Sequence, residues 1–373
     1  MPNPDYSEIA PVDLRNPFRN PTEEPDYSPD YREIAPELDM PGSSLPLFPA
    51  RAERVRIRRY FSLIFLTLIL CFVLTTGIYS GLRMLCAAVL KQIDLRKVGN
   101  LPQNYMLIAE QYMDDSAIRY GLLLIAALCG NLTAFLVGCR LTGIRKRTLF
   151  RLRDFRFLRM VLYTLIGLWI QLLSGLLCEK LMPFLEKNGI PLLNPQISLR
   201  GSDSRMMLIV LYTCLIAPVT EELLLRGVIL KNASRVSQRF GIFLSAFLFA
   251  VMHENLPQMI FTFPLGILLA YITIRHNSLM PAIIVHMAVN GASMLRLGAS
   301  MMLDTGMLRT VEMTAMLGIL LLGTASVFYL LLTEHMPEKT PHQCMRGIRL
   351  AAGSPLFWAF LCMHAAAMVY AVM

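Results

Sequence analysis

The residues best suited to chemistry are Glu221, Glu222 and Arg226, in the stretch Ala217-Pro-Val-Thr-Glu-Glu-Leu-Leu-Leu-Arg-Gly227. They lie inside an apolar run from about Met206 to Leu230. Such a run can cross a bilayer, which takes about 20 residues. Each charge at the centre of a spanning helix costs about 2.5–3.5 kcal/mol on insertion scales, so three of them need a purpose. One reading is a structural ion pair that locks two helices. The other is a buried acid/base site. Glu222 and Arg226 are one helical turn apart and share a face, with Glu on the favoured N-terminal side. Glu221 lies about 100° around from Glu222. Arg226 can therefore satisfy Glu222 and leave Glu221 less neutralised. Two adjacent carboxylates in a poorly hydrated place resist ionising together, a condition that suits a general base.

Three more polar groups belong at the same depth. His253 ends the run Phe249-Ala-Val-Met-His253, and His286 and Asn290 occur in Pro281-Ala-Ile-Ile-Val-His-Met-Ala-Val-Asn290. His286 and Asn290 share a helix face. At 1.5 Å per residue, Glu221 is about 15 Å from the basic end of its helix, His286 about 11 Å and Asn290 about 17 Å from Leu279, and His253 about 20 Å from Phe240. Groups from three segments thus reach one slab. A Glu with one His can take a proton from water, while a second His and an Asn can donate to an oxyanion. That set can hydrolyse a peptide bond without a covalent nucleophile. Glu221, His253 and His286 are also plausible ligands for a divalent metal such as zinc, which would activate water. The helix of the familiar zinc proteases is absent, because His253-Glu-Asn-Leu-Pro257 has Pro where H-E-x-x-H needs its second His.

The elements that must position these groups follow from composition. Of 373 residues, 55% are hydrophobic and 16% charged, and the mean hydropathy is +0.51. This is an all-α, polytopic transmembrane helical bundle of about eight or nine spans. The spans are expected near Tyr60–Leu82, Tyr120–Cys139, Met160–Leu181, Met206–Leu230, Gly241–His253, Ile260–Ile274, Leu279–Leu303, Val311–Leu332 and from Ala351 onward. The fifth is too short for an ordinary span, and the ninth fits an interfacial helix as well. Arg83 to Arg119 is expected to lie outside the membrane, with an interfacial helix around Leu85–Leu95. The formal charge of +9 reads as topology signal and not as a nucleic-acid surface. The basic residues cluster at segment ends: Arg51 to Arg59, Arg140 to Arg159, Lys231 to Arg239, Arg275 with His276, and Lys339 to Arg349. All fall on one side, which places the N-terminus in the cytoplasm of a multi-pass cell-membrane protein. The Arg140–Arg159 loop can also hold anionic lipid heads. Arg296 and His364 have no place in this scheme.

Residues 1–50 are a different material. They hold 11 of the 22 prolines, and Pro4-Asp-Tyr-Ser-Glu-Ile-Ala-Pro11 returns as Pro29-Asp-Tyr-Arg-Glu-Ile-Ala-Pro36. Such a stretch cannot bury enough apolar surface to fold, so it is expected to be a disordered cytoplasmic tail before a membrane domain of residues 51–373. The eight cysteines are scattered without a C-x-x-C. They read as small hydrophobes rather than a disulfide framework.

Glu221-Glu-x-x-x-Arg226, Phe249-x-x-x-His253 and His286-x-x-x-Asn290, in that order on successive hydrophobic segments, resemble the CPBP (CAAX protease and bacteriocin-processing) family of intramembrane proteases. Its eukaryotic members are the type II CAAX prenyl endopeptidases. Each motif alone is weak, but three in order are specific, and the resemblance covers a core of about 206–291. It implies a helical membrane fold with a site open to the cytosol. Glu221 with His253 would activate water, His286 with Asn290 would steady the oxyanion, and Glu222 and Arg226 would support. The substrate would be a membrane-associated protein or peptide, prenylated or not. Two other readings are a non-proteolytic immunity or regulatory protein on the same scaffold and a proton-coupled transporter, though no inverted repeat is visible. Single cysteines placed between Arg140 and Arg159 in a cysteine-free background are expected to label only from the cytoplasmic side. Labelling from outside would overturn the topology and the depth argument with it.

Overall fold

Runs of Leu, Ile, Val and Ala divided by basic clusters build eleven helices and no strand among the described residues. The structure is a computed structural model and describes residues 51–115, 117–144, 146–150, 156–189, 203–234, 238–333 and 341–372. The expected tail, residues 1–50, lies outside these, as do Arg145, Arg151, Arg153, Arg235 and Lys339 among the expected topology signals.

The first helix, α1 (Arg51–Val98), corrects the sequence reading. The first span was expected to stop at Leu82, with a separate interfacial helix after it. Instead one 48-residue helix continues through both. Charges close an apolar window but do not break a helix, and Arg83–Val98 contains neither Pro nor Gly. The helix stops at Gly99, whose φ of 79° is the left-handed conformation that glycine adopts freely. At 1.5 Å per residue α1 is about 72 Å long, against a hydrocarbon core of about 30 Å. Its distal end folds back onto α2 (Tyr105–Asp115). There the Tyr105 hydroxyl donates to Asp94 Oδ2 at 2.6 Å, and Arg83 pairs with Asp114 at 3.4 Å.

The chain continues through α3 (Ala117–Thr142) and α4 (Phe157–Lys187). Helix α5 spans 203–233 in five consecutive pieces. It is α-helical over Asp203–Leu211, Ala217–Glu222 and Lys231–Ala233, and π-helical over Tyr212–Ile216 and Leu223–Leu230. Helix α6 (Gln238–Val251) is joined to α7 (Leu256–His276) by a short turn. Pro257 stands in the first turn of α7, where its missing N–H costs nothing. Then come α8 (Leu279–Met302), α9 (Thr305–Thr333), α10 (Pro341–Ala352) and α11 (Pro355–Val372).

Seven helices are long and apolar enough to cross a membrane, and two apolar helices, Gln238–Val251 and Pro355–Tyr370, are shorter. All nine expected segments recur, and the two short ones are the fifth and ninth. The ninth begins after a break at Gly353–Ser354, not at Ala351. The chain is a multi-pass helical membrane protein. Helix α9 turns Leu317, Leu321, Leu322 and Phe328 outward, as a helix facing hydrocarbon does. Among the described cysteines all are free thiols; Cys71 and Cys139 are buried, whereas Cys129 and Cys362 are exposed, so burial does not describe them all.

Helix α5 lies at the centre. Leu223, Leu224, Leu225, Val228 and Ile229 share a core with Phe61 and Phe65 of α1, Phe135 of α3, Phe249 of α6 and Phe360 of α11. A second core joins α4, α7 and α8 through Tyr163, Leu265, Leu269, Val285 and Val289. Glycines allow close approaches around this core, two of them beside α5 and α6. A Cβ on Gly138 would meet Thr67 Cγ2 at 2.8 Å and Val228 Cγ1 at 3.0 Å. One on Gly266 would meet the Ala246 Cα at 3.0 Å and Phe249 Cδ1 at 3.2 Å. Gly266→Val is therefore expected to force α6 and α7 apart and cost about 1–3 kcal/mol of overpacking. The check is a lower unfolding temperature in detergent. An unchanged temperature would mean that α7 does not lie this close to α6.

Candidate active site

The short α-turn Ala217–Glu222 carries the two carboxylates, with wider π-helical turns on both sides. π-helical turns are rare and recur at functional sites. Glu222 is wholly buried. Its Oε1 accepts from Arg226 Nη1 at 2.9 Å and from His286 Nδ1 at 3.0 Å. Arg226 is fully buried too. Its Nη2 donates to the Gly266 carbonyl at 3.2 Å, and its guanidinium carbon lies 4.7 Å from the Phe249 ring centre. The expected pairing of Glu222 with Arg226 thus stands, even though their helix is π-helical between them.

Glu221 differs. Its side chain is 22% exposed against 0% for Glu222. Its Oε2 lies 3.8 Å from His286 Nε2. That is beyond a hydrogen bond but close enough for one water or a small movement to join them. One imidazole thus stands between two carboxylates, one locked and one open.

His253 follows the last turn of α6, and its Nδ1 lies 2.8 Å from the Phe249 carbonyl oxygen. A carbonyl only accepts, so Nδ1 carries the proton. In the neutral ring Nε2 is then the free acceptor. His253 is near enough to Glu221, His286 and Arg226 to feel their charges. Phe249 joins the cluster, since its ring packs edge to face with His253 at 4.8 Å and with His286 at 5.7 Å. Asn290 is on the same face of α8 as His286, but its Nδ2 donates to the Thr213 carbonyl at 2.9 Å, in the first π-helical piece of α5. One of its two N–H groups remains for other use.

All six residues singled out in the sequence thus gather around one turn of α5, although Asn290 touches the Tyr212–Ile216 piece and not the carboxylates. Sequence reasoning missed several partners. Phe249 was visible as the start of the Phe249-x-x-x-His253 motif, but its packing against both histidines and Arg226 was not. The Gly266 carbonyl carries no sequence signal. Neither does the chain that anchors the turn to the first two long helices: Cys71 Sγ donates to Asn131 Oδ1 at 2.9 Å, and Asn131 Nδ2 donates to Thr220 Oγ1 at 2.9 Å. Arg296, unassigned from sequence, pairs with Glu312 at 2.8 Å on the exposed face between α8 and α9.

Among the described residues no group of three His, Cys, Asp or Glu side chains is disposed to hold an ion. The Nδ1 atoms of His286 and His253 are engaged, with Glu222 and with the Phe249 carbonyl, which leaves Nε2 of each ring as the nitrogen a metal would take.

Removing one partner of a buried ion pair leaves the other charge uncompensated, which costs about 3–5 kcal/mol. Arg226→Ala is expected to accumulate poorly. Arg226→Lys keeps the charge but loses the fork that reaches both Glu222 and Gly266, and should be intermediate in level and melting temperature. Fluorescence size-exclusion profiles with thermal challenge measure both. An Arg226→Ala protein as stable as the unaltered chain would show that the pair is dispensable.

Residues 203–292 match the family model described as Rce1-like, type II CAAX prenyl endopeptidase Rce1-like. No curated protein and no solved structure matches the chain. The matched part contains Glu221, Glu222, Arg226, His253, His286 and Asn290 and leaves out α1 to α4 and α9 to α11. The similarity to the Rce1-like family is thus confined to residues 203–292, the segment that carries all six candidate residues.

Proposed function

We propose that this protein is an intramembrane endopeptidase that cleaves peptide bonds of membrane-associated substrates, CAAX-type prenylated peptides among them, with a water activated by Glu221 and His253. The observation that carries the reading is the division of labour between adjacent carboxylates. Glu222 is wholly buried and bound through Oε1 to both Arg226 and His286, while Glu221 keeps access to water.

The chemistry runs as follows. Water donates one hydrogen bond to Glu221 and the other to His253 Nε2. Glu221 takes a proton as the water oxygen attacks the carbonyl carbon. The oxyanion is met by the spare Asn290 N–H and by His286 Nε2 when that nitrogen is protonated. The C–N bond then breaks, and the proton held by Glu221 passes to the departing amine. Water is consumed, and an acid and an amine are released. The proposed steps use only these side chains and water. The membrane domain 51–373 would sit in the cell membrane with its N-terminus and the mouth of the site on the cytoplasmic side, and residues 1–50 would be dispensable for activity.

Purified protein in liposomes, given farnesylated and unmodified peptides, tests the reading. Glu221→Gln keeps the shape and removes the base, and cleavage should fall about 10²- to 10⁴-fold. His253→Ala should fall similarly. Asn290→Ala should lose about 10²- to 10³-fold as an oxyanion donor. All three should remain inserted and folded. Activity surviving in Glu221→Gln but lost in Glu222→Gln would reverse the roles of the two carboxylates. Loss of activity in strong chelators, restored by zinc, would replace the Glu–His mechanism with a metal-bound water.

A further inference from the structure

The loop that carries His253 is held from outside the matched segment. Helix α6 ends in tightening turns, with His253 N donating to Ala250 O at 3.1 Å and Glu254 N to Val251 O at 3.2 Å. Glu254 then adopts φ 56°, a left-handed conformation rare for a residue with a side chain. Asn255 returns to extended backbone and caps α7, its Oδ1 accepting from Gln258 N at 2.9 Å. Its Nδ2 donates back to the His253 carbonyl at 2.7 Å. The left-handed step at Glu254 therefore turns the chain out of α6 and into α7 directly after His253.

A glutamate in this conformation costs about 1–2 kcal/mol. Such strain persists only where the surroundings over-determine it. The Glu254 carboxylate has one strong partner: His364 Nδ1 donates to its Oε1 at 2.7 Å. His364 is on α11, more than a hundred residues downstream. Its ring is buried and packs against Phe72 of α1 at 5.0 Å and Phe360 at 4.5 Å. Its Nε2 is buried with no hydrogen-bond partner. A histidine used only as filler would leave an unsatisfied nitrogen for no return. Phenylalanine would fill that place better unless the Nδ1 donor is needed.

We propose that His364, on the last helix, is a positioning residue for His253, acting through Glu254. The inference rests on the proteolytic reading only for its kinetic arm. The bond fixes a strained residue next to His253 and so fixes where Nε2 points. Misplacing a catalytic group by about 1 Å can cost on the order of 10²-fold in rate. The segment 203–292 would then be incomplete as a site, and α11 would supply its last constraint.

The substitutions separate donor from packing. His364→Phe keeps the ring against Phe72 and Phe360 and removes the donor. His364→Asn offers an amide N–H near the Nδ1 position, whereas His364→Gln carries its amide too far out. Glu254→Gly relieves the strain and releases the tether from the other side. In liposomes, kcat is expected to fall about 10- to 100-fold in His364→Phe and His364→Gln with KM little changed, and to recover in His364→Asn. The doubly substituted His364→Phe/Glu254→Gly protein should be no worse than the worse single variant, because both act on one link. Independently of cleavage, ¹⁵N-histidine NMR of the full chain reads the His253 ring. It should show one tautomer in the unaltered protein and an averaged signal in His364→Phe. Unchanged kcat and an unchanged His253 signal in His364→Phe would overturn the proposal, as would equal impairment of the Phe and Asn variants. If His364→Phe fails to accumulate, Glu254→Gly decides by the same two readouts. If the unaltered protein cleaves nothing, the proteolytic reading fails while the His253 signal still decides this one.

Discussion

A fully buried carboxylate shared by an arginine and a histidine is the interaction on which the rest of this structure depends. Neither Glu222 nor Arg226 touches water. A charge in such a place is tolerated only when it is paired. Most surrounding features meet that requirement. Helix α7 approaches closely enough through Gly266 to offer a backbone carbonyl to Nη2. Helix α6 lays Phe249 under the guanidinium, and α8 brings His286 to the same carboxylate oxygen. Three helices are thus recruited to neutralise one pair of charges. The catalytic candidates stand beside this cluster because those same helices carry them.

The site was legible in the sequence where its logic is local. Glu222 and Arg226 are one turn apart, Phe249 and His253 likewise, and His286 and Asn290 likewise. Spacing alone showed which groups share a face. Charged residues in apolar segments also stand out, because the surrounding composition gives them no other explanation. What stayed hidden depends on contacts between distant parts of the chain. No local pattern says that Asn131 reaches Thr220, that the Gly266 carbonyl receives Arg226, or that Asn290 bonds to Thr213. His364 had no assignment in the sequence because its partner lies more than a hundred residues upstream. The left-handed conformation of Glu254 also carries no mark in composition.

The fold was legible to the same degree. Apolar windows located all nine membrane-type segments, since hydropathy averages over a length close to that of a span. Ends were less visible. Helix α1 runs past Leu82 because Arg83 and its neighbours are good helix formers, and hydropathy reports the edge of the hydrocarbon rather than the end of hydrogen bonding. The same distinction explains why Gly99, and not the first charged residue, terminates it.

The π-helical pieces of α5 change which kinds of alteration this chain can absorb. A π turn holds more residues than the α turn it replaces, so both sides of the Glu221–Glu222 turn contain chain that an ordinary helix would not need. Removing one residue from 212–216 would close that wide turn into an ordinary α turn with its flanks near their present phase, so the change would be felt locally, at the Thr213 carbonyl that Asn290 uses. The same holds for 223–230, where the local change would fall on Arg226 and its bond to Glu222. Across such a helix a difference of one residue in length is absorbed by the wide turns, and what it alters is which groups face the site.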